Sequence, residues 1–169
     1  MHHALERCKA HLLSYGGHAM AAGLRIRADA VAAFTEAFIA HANNVLTAAD
    51  LIPKMRLEGE VGLAGLTEPV VRDLDRLGPF GTNNPRPLWA TPWVELIGEP
   101  RVVGKGGEHL QLTVRDGETV RRAIAFRQAG CEQLLRDHRR CRLAFEPIIN
   151  EFNGQRTVEL QVADFQWPE

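Results

Sequence analysis

Between Trp93 and Phe165 apolar and polar residues alternate in short runs, over about 93–103, 108–115, 119–126, 139–150 and 156–165, with one helical stretch at 130–136 after the third run. A period of two is what a strand buried on one face requires. Five short strands, each with one apolar face, must bury those faces against one another, which leaves this part of the chain a closed or folded sheet. Five strands with a helix after the third is the element order of the OB-fold, a small barrel that often grips single-stranded nucleic acid or oligosaccharide.

Register follows from the turns. Asn153-Gly154 reads as a two-residue hairpin turn, which pairs Phe145 with Val162, Pro147 with Leu160 and Ile149 with Val158 as a core wall. Phe152 then falls on the opposite parity at the hairpin tip, with no evident burial. In the second run Leu110, Leu112 and Val114 are the apolar parity, and in the third Val120, Ile124 and Phe126. A turn at Asp116-Gly117 would set apolar against polar, so the pattern predicts a three-residue loop, Asp116-Gly117-Glu118, pairing Thr113 with Arg121 and Gln111 with Ala123.

The first half reads differently. Leu5, Cys8 and Leu12 have helical spacing over 3–14, stopped at Tyr15-Gly16-Gly17, and Leu24 and Ile26 alternate as a short strand. A helix is predicted over 29–48 with Asp29 as N-cap, since Val31, Phe34, Phe38, Ala42, Val45 and Leu46 trace one stripe. Pro53 breaks the pattern and sets a boundary near residue 51. A short helix bearing Val70, Val71, Leu74 and Leu77 is closed by Gly78-Pro79, and GPFGTNNPRP at 78–87 is a fixed loop. The fold class is therefore α+β: a helical or α+β part over 1–51, a connector over 52–92 packed on the barrel, and a five-stranded OB-fold barrel over 93–169.

No apolar run approaches the roughly 18 residues of a membrane span, and no signal-like stretch opens the chain. Cys8, Cys131 and Cys141 are odd in number and lack C-x-x-C spacing, so neither a disulfide framework nor a zinc knuckle is indicated, and a reducing cytoplasm is the simplest location. The net charge of −1 conceals an asymmetry: 29–99 holds five Lys or Arg against ten Asp or Glu, whereas 100–142 holds ten against five. A localised anion-binding surface and a merely solvated basic face both have that signature.

SYGGHAMAAG, at 14–23, places His18 directly after a glycine pair. Gly16 and Gly17 can bare backbone N–H groups toward an anion, and His18 adds a donor, which makes a phosphate cradle. A glycine-terminated helix whose histidine caps a carbonyl reads equally well from the residues alone.

As patterns these segments are more specific. GGHAMAAG resembles the G-G-H-x-x-A-A-G signature of the DHH-associated domain of the DHH phosphoesterase superfamily. PFGTNNPRP is similar to the P-F-G-x-G-N-P-x-P segment of the RecJ single-strand-specific exonucleases, and INEFNG to the I-N-E-W-N-G hairpin of their OB domain. The resemblance implies a 5′ to 3′ exonuclease acting on single-stranded DNA in recombination and repair, by hydrolysis at a two-manganese or two-magnesium centre. It implies that Gly16, Gly17 and His18 hold a substrate phosphate, with His18 stabilising charge rather than attacking. Phe80, Gly81, Asn83 and Asn84 form the matching loop, where Asn83 replaces the family glycine, a position at which asparagine best tolerates positive φ.

The family's D-H-H motif is absent from this sequence. The expectation is a C-terminal piece of a longer protein that holds no metal itself, hydrolyses nothing alone and works with the N-terminal DHH domain of the same polypeptide. His2, His3, Cys8 and His11 lack the spacing of one metal site. On the barrel, Lys105, Arg115, Arg121 and Arg127 are the basic groove candidates, the three arginines on one outward parity, and Phe152 is the stacking candidate. Trp89, Trp93 and Trp167 read as packing residues. The partner is single-stranded DNA; the competing reading is a non-enzymatic module contacting a protein such as a single-strand-binding protein.

Overall fold

The computed structural model describes residues 1–18 and 20–168. The chain divides into two compact units, Met1–Met55 and Arg56–Glu169.

In the first unit, α1 (His2–Arg7) runs into a 3-10 turn at Lys9–His11, and the chain then forms a hairpin of β1 (Ser14–Gly17) and β2 (Ala22–Arg25). Tyr15-Gly16-Gly17 is thus strand rather than a helix stop. Its register is Ser14↔Arg25, Tyr15↔Leu24, Gly16↔Gly23 and Gly17↔Ala22. The glycines suit the ladder for a steric reason: a Cβ on Gly17, at φ +135°, would lie 2.3 Å from the Ala21 carbonyl oxygen. The long helix, α2 (Val31–Val45), starts with its apolar stripe at Val31 and is shorter at both ends than the 29–48 expected. Asp29 does not cap it, because its carboxylate is taken by the Arg27 guanidinium at 2.8–2.9 Å.

The second unit is built on β3 (Gly59–Glu60), α3 (Glu68–Asp75), β4 (Trp89–Ala90), β5 (Val94–Leu96), β6 (Arg101–Val103), β7 (His109–Asp116), β8 (Thr119–Ala125), α4 (Glu132–His138), β9 (Arg140–Phe152) and β10 (Gln155–Gln166). Strands β5, β7, β8, β10 and β9 pair in that order, and β9 pairs back to β5, so five strands close a ring. All pairs in it are antiparallel except β8 with β10. The run expected over 93–103 is two strands, because Gly98 at φ +69° bends the chain ahead of Pro100. Strands β4 and β3 extend the sheet from β9.

Leu110, Leu112, Val114, Ala123, Ala125, Leu143, Phe145, Leu160 and Val162 fill the ring, joined by Leu135 of α4 and by Leu63 and Leu66 from the segment before α3. That segment is tied to the ring where the Leu63 N–H donates to Asp116 Oδ2 at 3.0 Å. Thr91 is buried with its hydroxyl accepting the Leu143 N–H at 3.0 Å, so its polar atom costs nothing unpaired.

The β9–β10 register is Phe145↔Val162, Pro147↔Leu160 and Ile149↔Val158, with Asn153 and Gly154 both at positive φ as an Asn-Gly turn requires. The β7–β8 register differs from the reading above. The turn is the two residues Gly117-Glu118, which pairs Asp116 with Thr119, Thr113 with Arg122 and Leu112 with Ala123. Gly117 alone takes positive φ there, as the first position of a type II′ turn does. The core parity of β8 is therefore Ala123 and Ala125, small residues set against Leu112 and Leu110, while Val120, Ile124 and Phe126 lie on the outside.

Candidate nucleic-acid interface

The outer face of β6, β7 and β8 is assembled row by row: Arg101 beside Gln111 beside Ile124, then Thr113 beside Arg122, then Arg115 beside Val120. Phe126 and Val120 keep 47% and 46% of their surface in solvent, so the face carries exposed apolar area between polar side chains. Phe126 stands edge-on to His109 with ring centroids 5.0 Å apart. His109 is held in place because its Nδ1 accepts the Arg127 N–H at 3.1 Å. Sequence reasoning placed Phe126 inside; the signal that finds it outside is the Gly117-Glu118 turn, which moves every β8 residue to the other face.

The cations do not share one face. Arg115 lies on the outer parity, but its guanidinium is engaged by Glu95 at 2.6 Å, and that contact holds the Glu95 carboxyl below the usual carboxylate range. Arg121 is on the inward parity of Ala123 and Ala125, at the end of the ring, contrary to the common outward parity read from the sequence. Arg127 lies in the turn after β8, two residues past Ala125 and in a left-handed conformation, φ 57°, and Lys105 sits in the turn between β6 and β7 where Gly104 and Gly107 take positive φ. Neither Lys105 nor Arg127 makes an ion pair among the described residues. Because β10 runs parallel to β8, the β9–β10 tip lies at the Thr119 end of β8, away from Lys105 and Arg127. Phe152 at that tip is 70% exposed. The structure thus places Lys105, His109, Phe126 and Arg127 at one end of the face and Arg115, Arg121 and Phe152 toward the other.

In the first unit the hairpin tip is open. Gly16, Gly17 and His18 are exposed, and a Cβ on Gly16 would meet nothing within 4 Å. A row of bared amides does not form, however: the His18 N–H donates to the Ala21 carbonyl at 2.8 Å, and ladder alternation commits Gly16 to Gly23 in the same way. By the same alternation the N–H groups of Tyr15 and Gly17 fall at the non-bonded positions of the ladder. His18 Nδ1 accepts the Met20 N–H at 3.4 Å, so Nε2 is the ring nitrogen left without a partner among the described residues.

The 78–87 loop is fixed by Asn84, whose side-chain amide donates to the Leu77 and Pro79 carbonyls, each at 3.0 Å, across a Gly81↔Asn84 bridge. Arg86 lies 4.6 Å over the Phe80 ring and reaches Asp75 at 3.0 Å and Glu146 at 3.1 Å. Asn83 does not take positive φ, so asparagine in place of glycine there imposes no strain. Trp89 packs against the ring core with its Nε1 buried and unpartnered, Trp93 lies 5.8 Å under the Arg140 guanidinium, and Trp167 stacks on Phe165 and His138.

Residues 57–164 match the family described as RecJ OB domain. The chain belongs to the RecJ OB domain family. It is 26% identical over 161 residues to the single-stranded-DNA-specific exonuclease RecJ of Bacillus subtilis, covering 95% of this chain and 20% of that relative. It is 32% identical over 162 residues to RecJ of Dickeya dadantii, covering 93% of this chain and 27% of the relative. The solved structure of Thermus thermophilus RecJ in complex with Mn2+ superposes over 99% of this chain with a TM-score of 0.80 and 28% identity, using 24% of that chain. The chain therefore spans between a fifth and about a quarter of the length of the RecJ proteins it matches.

The exposed tip of the β9–β10 hairpin, with Phe152 before Asn153-Gly154, lies within the residues matched to the RecJ OB domain, as does the Asn84-pinned loop. RecJ of Thermus thermophilus has been solved with Mg2+ and with Mn2+. Among the described residues of this chain no group of three or more His, Cys, Asp or Glu is placed to hold a metal ion. His3 pairs with Glu6 at 3.4 Å, and Cys8 is buried away from any such cluster. No described helix is long and apolar enough to cross a membrane.

Proposed function

We propose that this chain is the substrate-holding part of a RecJ-like 5′ to 3′ exonuclease and grips single-stranded DNA on the outer β6–β7–β8 face. The observation that carries the reading is the exposed Phe126 ring, braced by His109, with Arg127 next to it in sequence and Lys105 in the β6–β7 turn, two cations without ion pairs among the described residues; the neighbouring carboxylate of Glu108 lies 3.6 Å from His109 Nε2. A base stacks on an exposed ring whatever its identity, and free cations exchange their counterions for backbone phosphates. Phe152 extends the track at the far end of the ring.

In this reading Met1–Met55 is the end of a DHH-associated domain, and His18 offers Nε2 to a substrate phosphate. Hydrolysis belongs to a domain carrying the D-H-H motif and its Mn2+ or Mg2+ pair, a motif this sequence does not contain. The chain alone grips and does not cut. The test is incubation of the purified chain with an end-labelled single strand and Mn2+: retention of the strand without release of nucleotides is the expected result. Manganese-dependent release by the chain alone overturns the division of labour, and failure to retain the strand overturns the grip.

A further inference from the structure

A recess opens at the end of the ring, between the start of β8, the start of β10 and the first turn of α3. It encloses about 490 Å³, and its lining includes Leu66, Thr67, Glu68, Arg121, Arg122 and Arg156. Two of its three guanidinium groups are already matched. Arg122 Nε lies 3.2 Å from Glu159 Oε1, and Arg156 lies 3.0 Å from Glu151 and 3.7 Å from Glu68. The carboxylates are equally committed: Glu68 also bonds Arg72, and Glu159 accepts the Asn150 amide at 3.0 Å.

Arg121 is different. It makes no ion pair among the described residues; its Nη2 donates to the Leu66 carbonyl at 3.1 Å, its Nη1 to the Val120 carbonyl at 3.2 Å, and its Nε is buried with no partner. The buried Nε is closed to a ligand, but Nη1 and Nη2 each keep a second N–H, so a half-buried cation without a counter-ion retains two donors for an anion. Thr67 and Glu68 at the N-terminus of α3 line the same recess, where the Glu68 carboxylate offsets the positive end of that helix and leaves Arg121 as the cation without a counter-ion.

We propose that this recess, which meets the outer face at Val120 and Arg122, is a phosphate subsite in which Arg121 binds a phosphate group of a nucleic-acid strand and Arg156 stands at the rim. The source of the phosphate rests on the reading of the chain as a single-strand binder; the anion chemistry of the recess does not. A backbone phosphodiester and a terminal phosphomonoester both fit that chemistry.

The experiment follows the arginine Nε–Hε resonances of the full 169-residue chain by NMR during titration with inorganic phosphate, with 5′-hydroxyl oligo(dT) and with 5′-phosphorylated oligo(dT). Phosphate should shift the Arg121 resonance. A shift with both oligonucleotides identifies a phosphodiester, and a shift with the phosphorylated one alone identifies a terminal group. Arg121→Gln should weaken oligo(dT) binding about tenfold and lower the slope of log affinity against log salt by about 0.7, one phosphate contact. Arg121→Lys keeps the charge while removing Nε, and serves if the glutamine variant does not fold. An Arg121 resonance unmoved by all three titrants overturns the subsite, and persisting oligonucleotide binding then leaves the single-strand reading intact. A shift with inorganic phosphate but no oligonucleotide binding does the reverse.

Discussion

Phe126 stands edge-on to His109, ring centroids 5.0 Å apart, on the solvent side of β7 and β8. An aromatic ring this exposed contributes little to the core, so its truncation separates binding from folding. Phe126→Ala should lower the melting temperature by only a few degrees, about half of the ring being exposed, while weakening single-strand affinity by about 1–3 kcal/mol, the range for one lost base stack. Paired thermal melts and binding isotherms check both halves.

The hairpin that presents His18 depends on a residue without a side chain. Gly17→Ala would set a Cβ 2.3 Å from the Ala21 carbonyl oxygen and 2.5 Å from Ala22 Cα, at a φ of +135°. The hairpin should open at its tip, at a local cost of about 1–3 kcal/mol. Hydrogen exchange reads this at the His18 amide, which the wild-type fold protects through its bond to Ala21. Amides of β7 and β9 should be unaffected.

Leu143 is fully buried on β9 within the ring. Leu143→Ala should therefore cost about 2–5 kcal/mol by cavity formation, a drop readable by denaturant titration. Val120→Ala, on the exposed parity of β8, should cost well under 1 kcal/mol by the same measurement.

Burial pushes the Cys141 thiol from an ordinary 9.0 up to about 12. The folded state then keeps a proton that the unfolded state sheds, so stability is full below pH 9 and falls as pH rises from 9 toward 12, by at most about 1.4 kcal/mol per pH unit. Cys141→Ser should flatten that part of the stability profile. Native-state alkylation at pH 8 should spare Cys141 and Cys8, both buried, and react first at the half-buried Cys131.

The two hairpins of the ring explain what was legible in the sequence. Asn153-Gly154 admits one tight turn, so every β9–β10 pair from Ile149↔Val158 to Phe145↔Val162 follows from it. At Asp116-Gly117-Glu118 the sequence pattern sets a two-residue turn at Asp116-Gly117 against a three-residue loop and takes Val120, Ile124 and Phe126 as the apolar set, without weighing the turn Gly117-Glu118 that the chain adopts. The ring instead fills with Leu110, Leu112 and Val114 from β7 and leaves room only for Ala123 and Ala125 opposite. The large apolar residues of β8 are thereby released to the surface, where Phe126 becomes available to a ligand. Arg121 moved with them, from the outer face into the recess at the end of the ring. The hairpin at Gly16-Gly17 was hidden for another reason: glycine signals a stop and a close-packed ladder equally well, and only the approach of Ala21 and Ala22 decides.

The most direct measurement is fluorescence anisotropy of a labelled oligo(dT) and of a duplex of equal length, titrated with this chain over a range of salt. The single strand should bind more tightly than the duplex, with log affinity falling linearly in log salt at a slope of about −0.7 per phosphate contacted. Equal affinity for the two forms, or single-strand affinity indifferent to salt, contradicts a grip made of an exposed ring beside free cations.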